Sequence, residues 1–154
     1  MVELLKMTEE DYQHFLDYAI EDYAKEKTKA GNYEEHEAIE RSKQDFGKLL
    51  PEGLETENHL LHTIVDQKAN KKVGYLWTFL DKKPNTAFIY NIWVFDELQG
   101  KGYGSKAIAK LEELLKEKGI EKLELHVFGH NQGAFRLYQR LGFEPTNIVM
   151  AKTL

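Results

Sequence analysis

The sequence predicts a mixed α/β fold with the element order β-α-α-β-β-β-α-β-α-β. Three strand-like segments between residues 59 and 95 are separated only by turn signals, which predicts antiparallel neighbours. A strand, a helix and another strand then follow one another over residues 90–127, which predicts one parallel pair inside a mixed sheet. A capping-box pattern at residues 8–11 precedes the first helical stripe.

The N-terminal third is predicted to hold one short strand and two helices. Residues 2–6 favour a strand, and Thr8 with Asp11 is typical of a helix start. Apolar residues at helical spacing follow as far as Gly31 and Asn32, which end the first helix. A second helix is predicted over residues 33–49, before Pro51 and Gly53 break the chain.

The remaining elements alternate between strand and helix patterns. Gly104 precedes a run of apolar residues at helical spacing, and Gly119 ends this run. Gly142 is predicted to be the residue just beyond the end of the last helix. The predicted strands are residues 59–66, 72–80, 86–95, 123–128 and 147–153, and the last helix is residues 131–141.

Composition indicates one globular domain over residues 1–154. Cysteine is absent, which excludes disulfides, cysteine nucleophiles and cysteine-ligated metals. No apolar run approaches the roughly twenty residues of a membrane helix and no secretory signal is recognisable, so a cytoplasmic location without membrane association is expected. The net charge of −5 argues against a nucleic-acid partner.

A glycine-rich segment separates the strongest predicted strand from the next helix. Gly100, Gly102 and Gly104 let backbone N–H groups turn toward one point, and the following helix adds its free N–H groups and positive dipole end. Such an anion site suits a diphosphate. The spacing fits neither a Walker loop nor a dinucleotide fingerprint. The glycines alone are equally compatible with a plain strand-to-helix turn.

Two motifs together identify a resemblance to the GNAT (GCN5-related N-acetyltransferase) superfamily. Gln99-x-x-Gly102-x-Gly104 is similar to its acetyl-CoA signature. The later run from Asn131 through Tyr138 to Gly142-Phe143 resembles its second block, Asn-x-x-Ala-x-x-Leu-Tyr-x-x-x-Gly-Phe. The resemblance covers residues 60–150 well, and the first two helices only in outline. It implies a GNAT fold, with a mixed, mostly antiparallel sheet of six to seven strands flanked by about four helices.

The resemblance also implies an activity, acetyl transfer from acetyl-CoA to a primary amine, and the residues that bind the cosubstrate. Tyr138 would protonate the departing thiolate, since a phenol can act as a general acid, although a tyrosine here can also simply pack between helix and sheet. Asn131 would bond to the cofactor arm, and the backbone of Ile92, Trp93 and Val94 would pair with it as an added strand. The full set of predicted cofactor-binding residues is Ile92, Trp93, Val94, Gln99, Gly100, Lys101, Gly102, Tyr103, Gly104, Ser105, Asn131 and Ala134.

The base that deprotonates the amine is harder to assign. Many members of the family use a glutamate on the central strand, but residues 88–92 carry no carboxylate here. His126 is the best substitute, because its ordinary pKa near 6.5 suits proton removal at neutral pH. A partly exposed strand histidine without a chemical role is the competing interpretation, and Tyr90 with Asn91 could instead hold a relay water.

Only the charge distribution along the sequence constrains the identity of the acceptor amine. Residues 1–58 carry a net −9 (16 acids, 7 bases) and residues 59–154 a net +4 (10 acids, 14 bases). In the family the first two helices cover the acceptor site, so their acids would favour a cationic amine such as a polyamine, an aminoglycoside or a protein amine. The acids considered are Glu21, Asp22, Glu26, Glu34, Glu35 and Glu37, and solvated helix faces also account for most of them. Tyr33, Trp77 and Phe79 are candidates for the pocket lining or for the core.

Two other interpretations compete with the prediction of an acetyltransferase. A GNAT-fold sensor that binds acyl-CoA without turnover is the alternative function, although Asn131 and Tyr138 argue against it. A flavodoxin-like domain is excluded by the strand meander before residue 96. The histidines at positions 14, 36, 59, 62 and 130 show no metal-ligand pairing, so no metal is predicted. The sequence supports no Ser-His-Asp arrangement, so no covalent intermediate is predicted either. A homodimer through the C-terminal strand or the acidic helices is compatible with the sequence.

Overall fold

The computed structural model describes all residues from 1 to 154. A five-stranded sheet forms its centre, with strands in the order β1-β2-β3-β4-β5. The strands are β1 (Val2–Lys6), β2 (His59–Asp66), β3 (Lys71–Asp81), β4 (Thr86–Val94) and β5 (Lys122–Leu125). The helices are α1 (Glu9–Lys29), α2 (Ala38–Leu49), α3 (Tyr103–Glu117) and α4 (Gln132–Arg140). The first three strand pairs are antiparallel and β4–β5 is parallel, as the sequence predicts.

Helices cover both faces of this sheet. On one face, Phe15 and Ala19 of α1 and Phe46 of α2 pack against Tyr75 and Trp77 of β3. On the other face, the apolar stripe of α3 packs against β1, β3 and β4 through a second core, to which Tyr138, Leu141 and Phe143 are joined at its margin. The central strand β3 is therefore buried on both sides.

Local sequence signals explain where the first two helices begin and end. Thr8 Oγ1 accepts from the Asp11 N–H at 3.1 Å and Asp11 Oδ2 accepts from the Thr8 N–H at 3.2 Å, which confirms the capping box. Gly31 turns the chain at φ +81°. The prediction that α2 starts at residue 33 is wrong: Tyr33 is buried beside Ala24 and Ala38, and a short 3₁₀ turn, Glu35–Glu37, precedes the helix.

The C-terminal part departs most from the prediction. The strand predicted over residues 123–128 ends at Leu125, because β4 turns away there and offers no further partner. The predicted strand at residues 147–153 is absent, since this segment lies against no sheet edge and every residue from 144 onward is exposed. The sheet thus has five strands rather than six or seven. No helix combines the length and the apolar composition that a membrane crossing requires.

Candidate active site

The parallel strands β4 and β5 separate half-way along β4. Their pairing ends at Ile89 and Leu125. A bulge in β4 makes Tyr90 an extra residue, after which Asn91 to Val94 continue to pair with β3 but have no partner on the side of β5. Alternate backbone N–H and C=O groups of this stretch point into the gap, where they can pair with an extended ligand. The predicted contact residues Ile92, Trp93 and Val94 all lie in this stretch.

A close approach of β3 fixes the same stretch of β4. A Cβ atom on Gly74 would stand 2.0 Å from the carbonyl oxygen of Trp93, so only glycine fits at this position. The side chains of this stretch point alternately to the two faces of the sheet. Ile92 and Val94 pack against the core under α3, whereas Trp93 packs on the face covered by α1.

The glycine-rich loop leads from β4 into the N-terminus of α3. Gly100 and Gly102 have φ angles of +79° and +85°, in the left-handed region that favours glycine. None of the backbone N–H groups from Gly100 to Ser105 donates to another backbone group of the chain. Six backbone donors without a backbone partner therefore lie at the positive end of a fifteen-residue helix, which suits an anion such as a diphosphate.

The side chains of Gln99 and Tyr103 hold the glycine-rich loop in place and do not add hydrogen-bond donors to the anion site. Gln99 Nε2 donates to the Val94 carbonyl at 3.0 Å and so ties the loop to the end of β4. The Tyr103 hydroxyl donates to Asp66 Oδ2 at 2.5 Å, which leaves only its backbone N–H for the anion site. Gly104 lies against Val94, since a Cβ atom added to this glycine would be 4.0 Å from Val94 Cγ2. Lys101 is exposed.

Tyr138 lies on α4 and packs against the core that also holds Ile92 of β4 and Leu125 of β5. Its ring meets Phe143 edge-on, with centroids 5.9 Å apart. Burial raises the pKa of the Tyr138 hydroxyl, so the phenol is fully protonated at neutral pH. The side chain is therefore both a packing residue and an available proton donor.

Asn131 has a structural task that the sequence motif does not reveal. It is the N-cap of α4, and its Oδ1 accepts from the Ala134 N–H at 3.2 Å. Its amide group keeps two N–H donors for another partner. Ala134, one turn before Tyr138, is partly exposed on the same helix face.

His126 follows the last residue of β5 and is exposed, so it lies where the two strands have separated. Its ring meets Phe128 edge-on at 4.8 Å. Partial burial and the ammonium group of Lys27 on α1 lower its pKa below the ordinary value, so the neutral imidazole predominates at pH 7. Neutral imidazole is the form that accepts a proton.

Helix α1 forms a wall opposite the segment that follows β5. Glu26 pairs with Nε2 of His130 at 2.6 Å, and Tyr23 lies 6.4 Å from the ring of Phe128. The Glu26–His130 pair joins residues 104 positions apart and connects α1 to the loop that precedes Asn131. Sequence analysis assigned neither residue of this pair such a contact.

An aromatic stack with acidic neighbours lies on the same side of the sheet. The rings of Tyr18 and Trp93 are parallel, with centroids 3.6 Å apart and an interplanar angle of 6°. Burial raises the pKa of Asp22, and the carboxylate of Glu26 raises it further. Burial also raises the pKa of the Tyr18 hydroxyl, as do the carboxylates of Asp22 and Asp96. The spacing of Tyr18, Asp22 and Glu26, four residues apart on α1, is the signal that could have identified this wall.

The other acids considered from the sequence are bound elsewhere or face solvent. Glu21 pairs with Lys25 at 3.3 Å, Glu34 lies 3.5 Å from His36, and Glu37 pairs with Arg41 at 3.2 Å. All three pairs lie at the surface, and Glu35 is exposed. Tyr33 and Trp77 are core residues, 7% and 2% exposed. Tyr90, stacked on Trp77 at 4.6 Å and 38% exposed, is an aromatic surface that sequence analysis considered only as a water holder.

A sheet whose parallel strands splay beside a glycine-rich helix N-terminus, with a partly buried tyrosine on the next helix, is the arrangement that defines the class of acetyltransferase folds. Residues 12–143 match the acetyltransferase (GNAT) family, so the chain belongs to that family. The resemblance in the sequence is thereby confirmed.

Relatives of known sequence and structure agree with this assignment. The chain is 42% identical over 155 residues to the uncharacterized N-acetyltransferase YycN of Bacillus subtilis, covering 98% of this chain and 97% of that protein. A crystal structure of YycN superimposes with a TM-score of 0.95 at 40% identity, over 100% of this chain and 99% of that one. The PaiA N-acetyltransferase of Thermoplasma acidophilum, solved with coenzyme A, shares the fold at 21% identity and a TM-score of 0.72, over 97% and 93% of the chains.

Proposed function

We propose that the protein transfers the acetyl group of acetyl-CoA directly to the primary amine of a cationic acceptor. One observation carries the proposal: the gap between β4 and β5 opens beside the unpaired N–H groups that begin α3. An extended arm paired with β4 would end in a diphosphate at the helix N-terminus. That is the shape and charge of acetyl-CoA, whose pantetheine arm joins a thioester to a diphosphate.

The residues of the gap support a direct transfer. The neutral amine attacks the thioester carbonyl carbon, a C–N bond forms, and the C–S bond breaks. His126 takes the proton that the amine loses, because its lowered pKa keeps the imidazole neutral at pH 7. Tyr138 gives a proton to the departing thiolate and recovers one from solvent. Backbone N–H groups of β4 that face the gap can polarise the carbonyl oxygen.

The charge of the α1 wall supports a cationic acceptor. Asp22, Glu26 and Asp96 surround the Tyr18–Trp93 stack, so an ammonium group meets both carboxylates and aromatic faces there. The same wall is unfavourable for an anionic acceptor. A polyamine, an aminoglycoside or a protein amine fits this description.

An assay of thiol release with acetyl-CoA and a panel of amines tests the proposal, and the absence of cysteine means that the protein adds no thiol background. We expect release to depend on the amine, with polyamines ahead of neutral amines of similar length. Asp22→Asn should lower kcat/KM for the cationic amines by about tenfold and spare the neutral ones. Glu21→Gln is the matched control, because Glu21 neighbours Asp22 in sequence but pairs with Lys25 at the surface.

Two outcomes would contradict the proposal in different ways. Acetyl-CoA binding without release for any amine would favour a non-catalytic sensor of acyl-CoA. Turnover that is equally fast for cationic and neutral amines, and unaffected by Asp22→Asn, would remove the cationic acceptor and leave the transferase.

A further inference from the structure

A group of aromatic side chains at the end of β3 and the beginning of β4 lies outside the hydrophobic cores. Phe79, Phe88 and Tyr90 take part in none of them. Tyr90 is 38% exposed, and both phenylalanines are partly exposed. Aromatic rings that reach solvent together on one face of a sheet indicate a binding surface.

These rings surround the outer face of Tyr90. The Tyr90 ring is stacked on Trp77, with centroids 4.6 Å apart and an interplanar angle of 26°. Because Trp77 is only 2% exposed, the face of Tyr90 that is turned away from it is the outer one. The rings of Phe88 and Phe79 are inclined to Tyr90 by 60° and 59°, with centroids 5.0 and 6.3 Å from it.

His59 extends this surface without adding charge. Its ring centroid is 4.8 Å from that of Phe79, and its Nδ1 atom accepts from Trp77 Nε1 at 2.9 Å. Burial lowers the pKa of His59 and raises the pKa of Tyr90, and it is the only cause in both cases. Both side chains are therefore neutral at pH 7. We call His59, Phe79, Phe88 and Tyr90 the aromatic platform.

The aromatic platform borders the gap between β4 and β5. Tyr90 is the extra residue of the bulge in β4, and it directly precedes Asn91, where the stretch without a β5 partner begins. Bulges beside active sites commonly re-aim a side chain. Successive residues of a strand are about 3.3 Å apart. A short carbon chain therefore suffices to join a group on Tyr90 to an amine at the start of the gap.

We propose that the aromatic platform binds a flat aromatic ring of the acceptor, which makes the acceptor an arylalkylamine whose primary amine is about two carbons from the ring. An uncharged surface of ring faces and ring edges recognises another ring by offset stacking and edge contacts. The inference rests on the proposed transfer and names the class of cationic amine that it uses. It assigns Tyr90 as a residue that determines specificity.

Two amines of equal length distinguish ring stacking from plain apolar contact. Phenylethylamine and cyclohexylethylamine carry the same ammonium group on the same chain, and only the first has a flat ring. By isothermal titration calorimetry, the intact protein should bind phenylethylamine about fivefold more tightly. In the thiol-release assay, kcat/KM should favour phenylethylamine by a similar factor. Because each measurement is a ratio of two amines, effects on acetyl-CoA or on the chemical step cancel.

Tyr90→Leu keeps an apolar side chain but removes the ring, so both ratios should fall to about one. Tyr90→Phe is the matched control, since it keeps the ring and should preserve both ratios. Equal binding of the two amines by wild type would overturn the inference, and so would a preference that survives in Tyr90→Leu. A clear preference in binding without thiol release from either amine would support the ring-binding surface and contradict the proposed transfer instead.

Discussion

At the residue scale, His126 and Tyr138 divide the proton transfers of the proposed reaction between two environments. At the end of β5, partial burial and the nearby Lys27 lower the pKa of His126, whereas burial beside Phe143 raises the pKa of Tyr138. The two shifts move the groups apart, so that at pH 7 the imidazole is deprotonated and the phenol is protonated. An acceptor and a donor of protons are thus available together.

The pH dependence of the reaction tests the role of His126. A base must be neutral to act, so kcat/KM should fall as the pH drops through the pKa of His126, with a midpoint below 6.5. His126→Ala should lower kcat/KM by about 100-fold and abolish this acidic limb. His36→Ala is the matched control, because His36 is an exposed histidine far from the gap in sequence and is paired with Glu34. An unchanged limb in His126→Ala would contradict the assignment.

At the element scale, the junction of β4, the glycine loop and α3 decides where the diphosphate binds. Gly102 and Gly119 have nearly the same φ angles, +85° and +79°, and a Cβ at either would meet no atom within 4 Å. They stand at opposite ends of α3. Alanine at each should therefore destabilise the fold by a similar amount, about 1–2 kcal/mol, through backbone strain alone.

The two variants, Gly102→Ala and Gly119→Ala, should differ in their binding of acetyl-CoA. Gly102→Ala should raise the KM for acetyl-CoA by about tenfold, since it redirects the N–H groups at the helix start. Gly119→Ala should leave that KM unchanged. Equal effects of the two variants on KM, measured alongside their unfolding in urea, would show that the loop is only a turn.

The elements that sequence analysis located well are those with local signals. The capping box at Thr8, the turns between β2, β3 and β4, and the stop at Gly119 each depend on neighbouring residues, and the structure confirms them. The glycine loop and the tyrosine motif were also visible, because their residue types are required at fixed spacings.

The features that sequence analysis missed depend on contacts between residues that are far apart in the sequence. β5 ends at Leu125 rather than residue 128 because a bulge at Tyr90, on another strand, removes its partner. The Tyr18–Trp93 stack and the Glu26–His130 pair join α1 to segments that are 75 and 104 residues away. No local pattern encodes such contacts, although the spacing of Tyr18, Asp22 and Glu26 marks one face of α1.

At the scale of the whole molecule, the sheet carries a core on each face, and a few polar groups are enclosed with them. His62 lies on β2 between Lys6 of β1 and Leu76 of β3, and its Nδ1 atom has no hydrogen-bond partner. Burial, with a smaller contribution from the charge of Lys118, lowers the pKa of His62 to about 4. The folded protein therefore holds this imidazole neutral.

Acidic pH should lower the free energy of unfolding because of the lowered pKa of His62. Between pH 6.5 and pH 4 the unfolded chain binds a proton at His62 that the folded chain does not, so stability falls as the pH is lowered through that window. Urea unfolding should show a loss of about 2–3 kcal/mol between pH 7 and pH 4 from this group. His62→Leu should remove that part of the dependence, and identical pH profiles for the two proteins would contradict the account.

The most direct test of the central claim compares wild type with Tyr138→Phe in the thiol-release assay, with the acceptor amine at saturation. Loss of the hydroxyl alone should lower kcat by about 100-fold or more and leave the KM for acetyl-CoA nearly unchanged, because phenylalanine keeps the packing against Phe143. A variant that turns over at the wild-type rate would contradict the account, since Tyr138 would then be a packing residue and the thiolate would take its proton from another source.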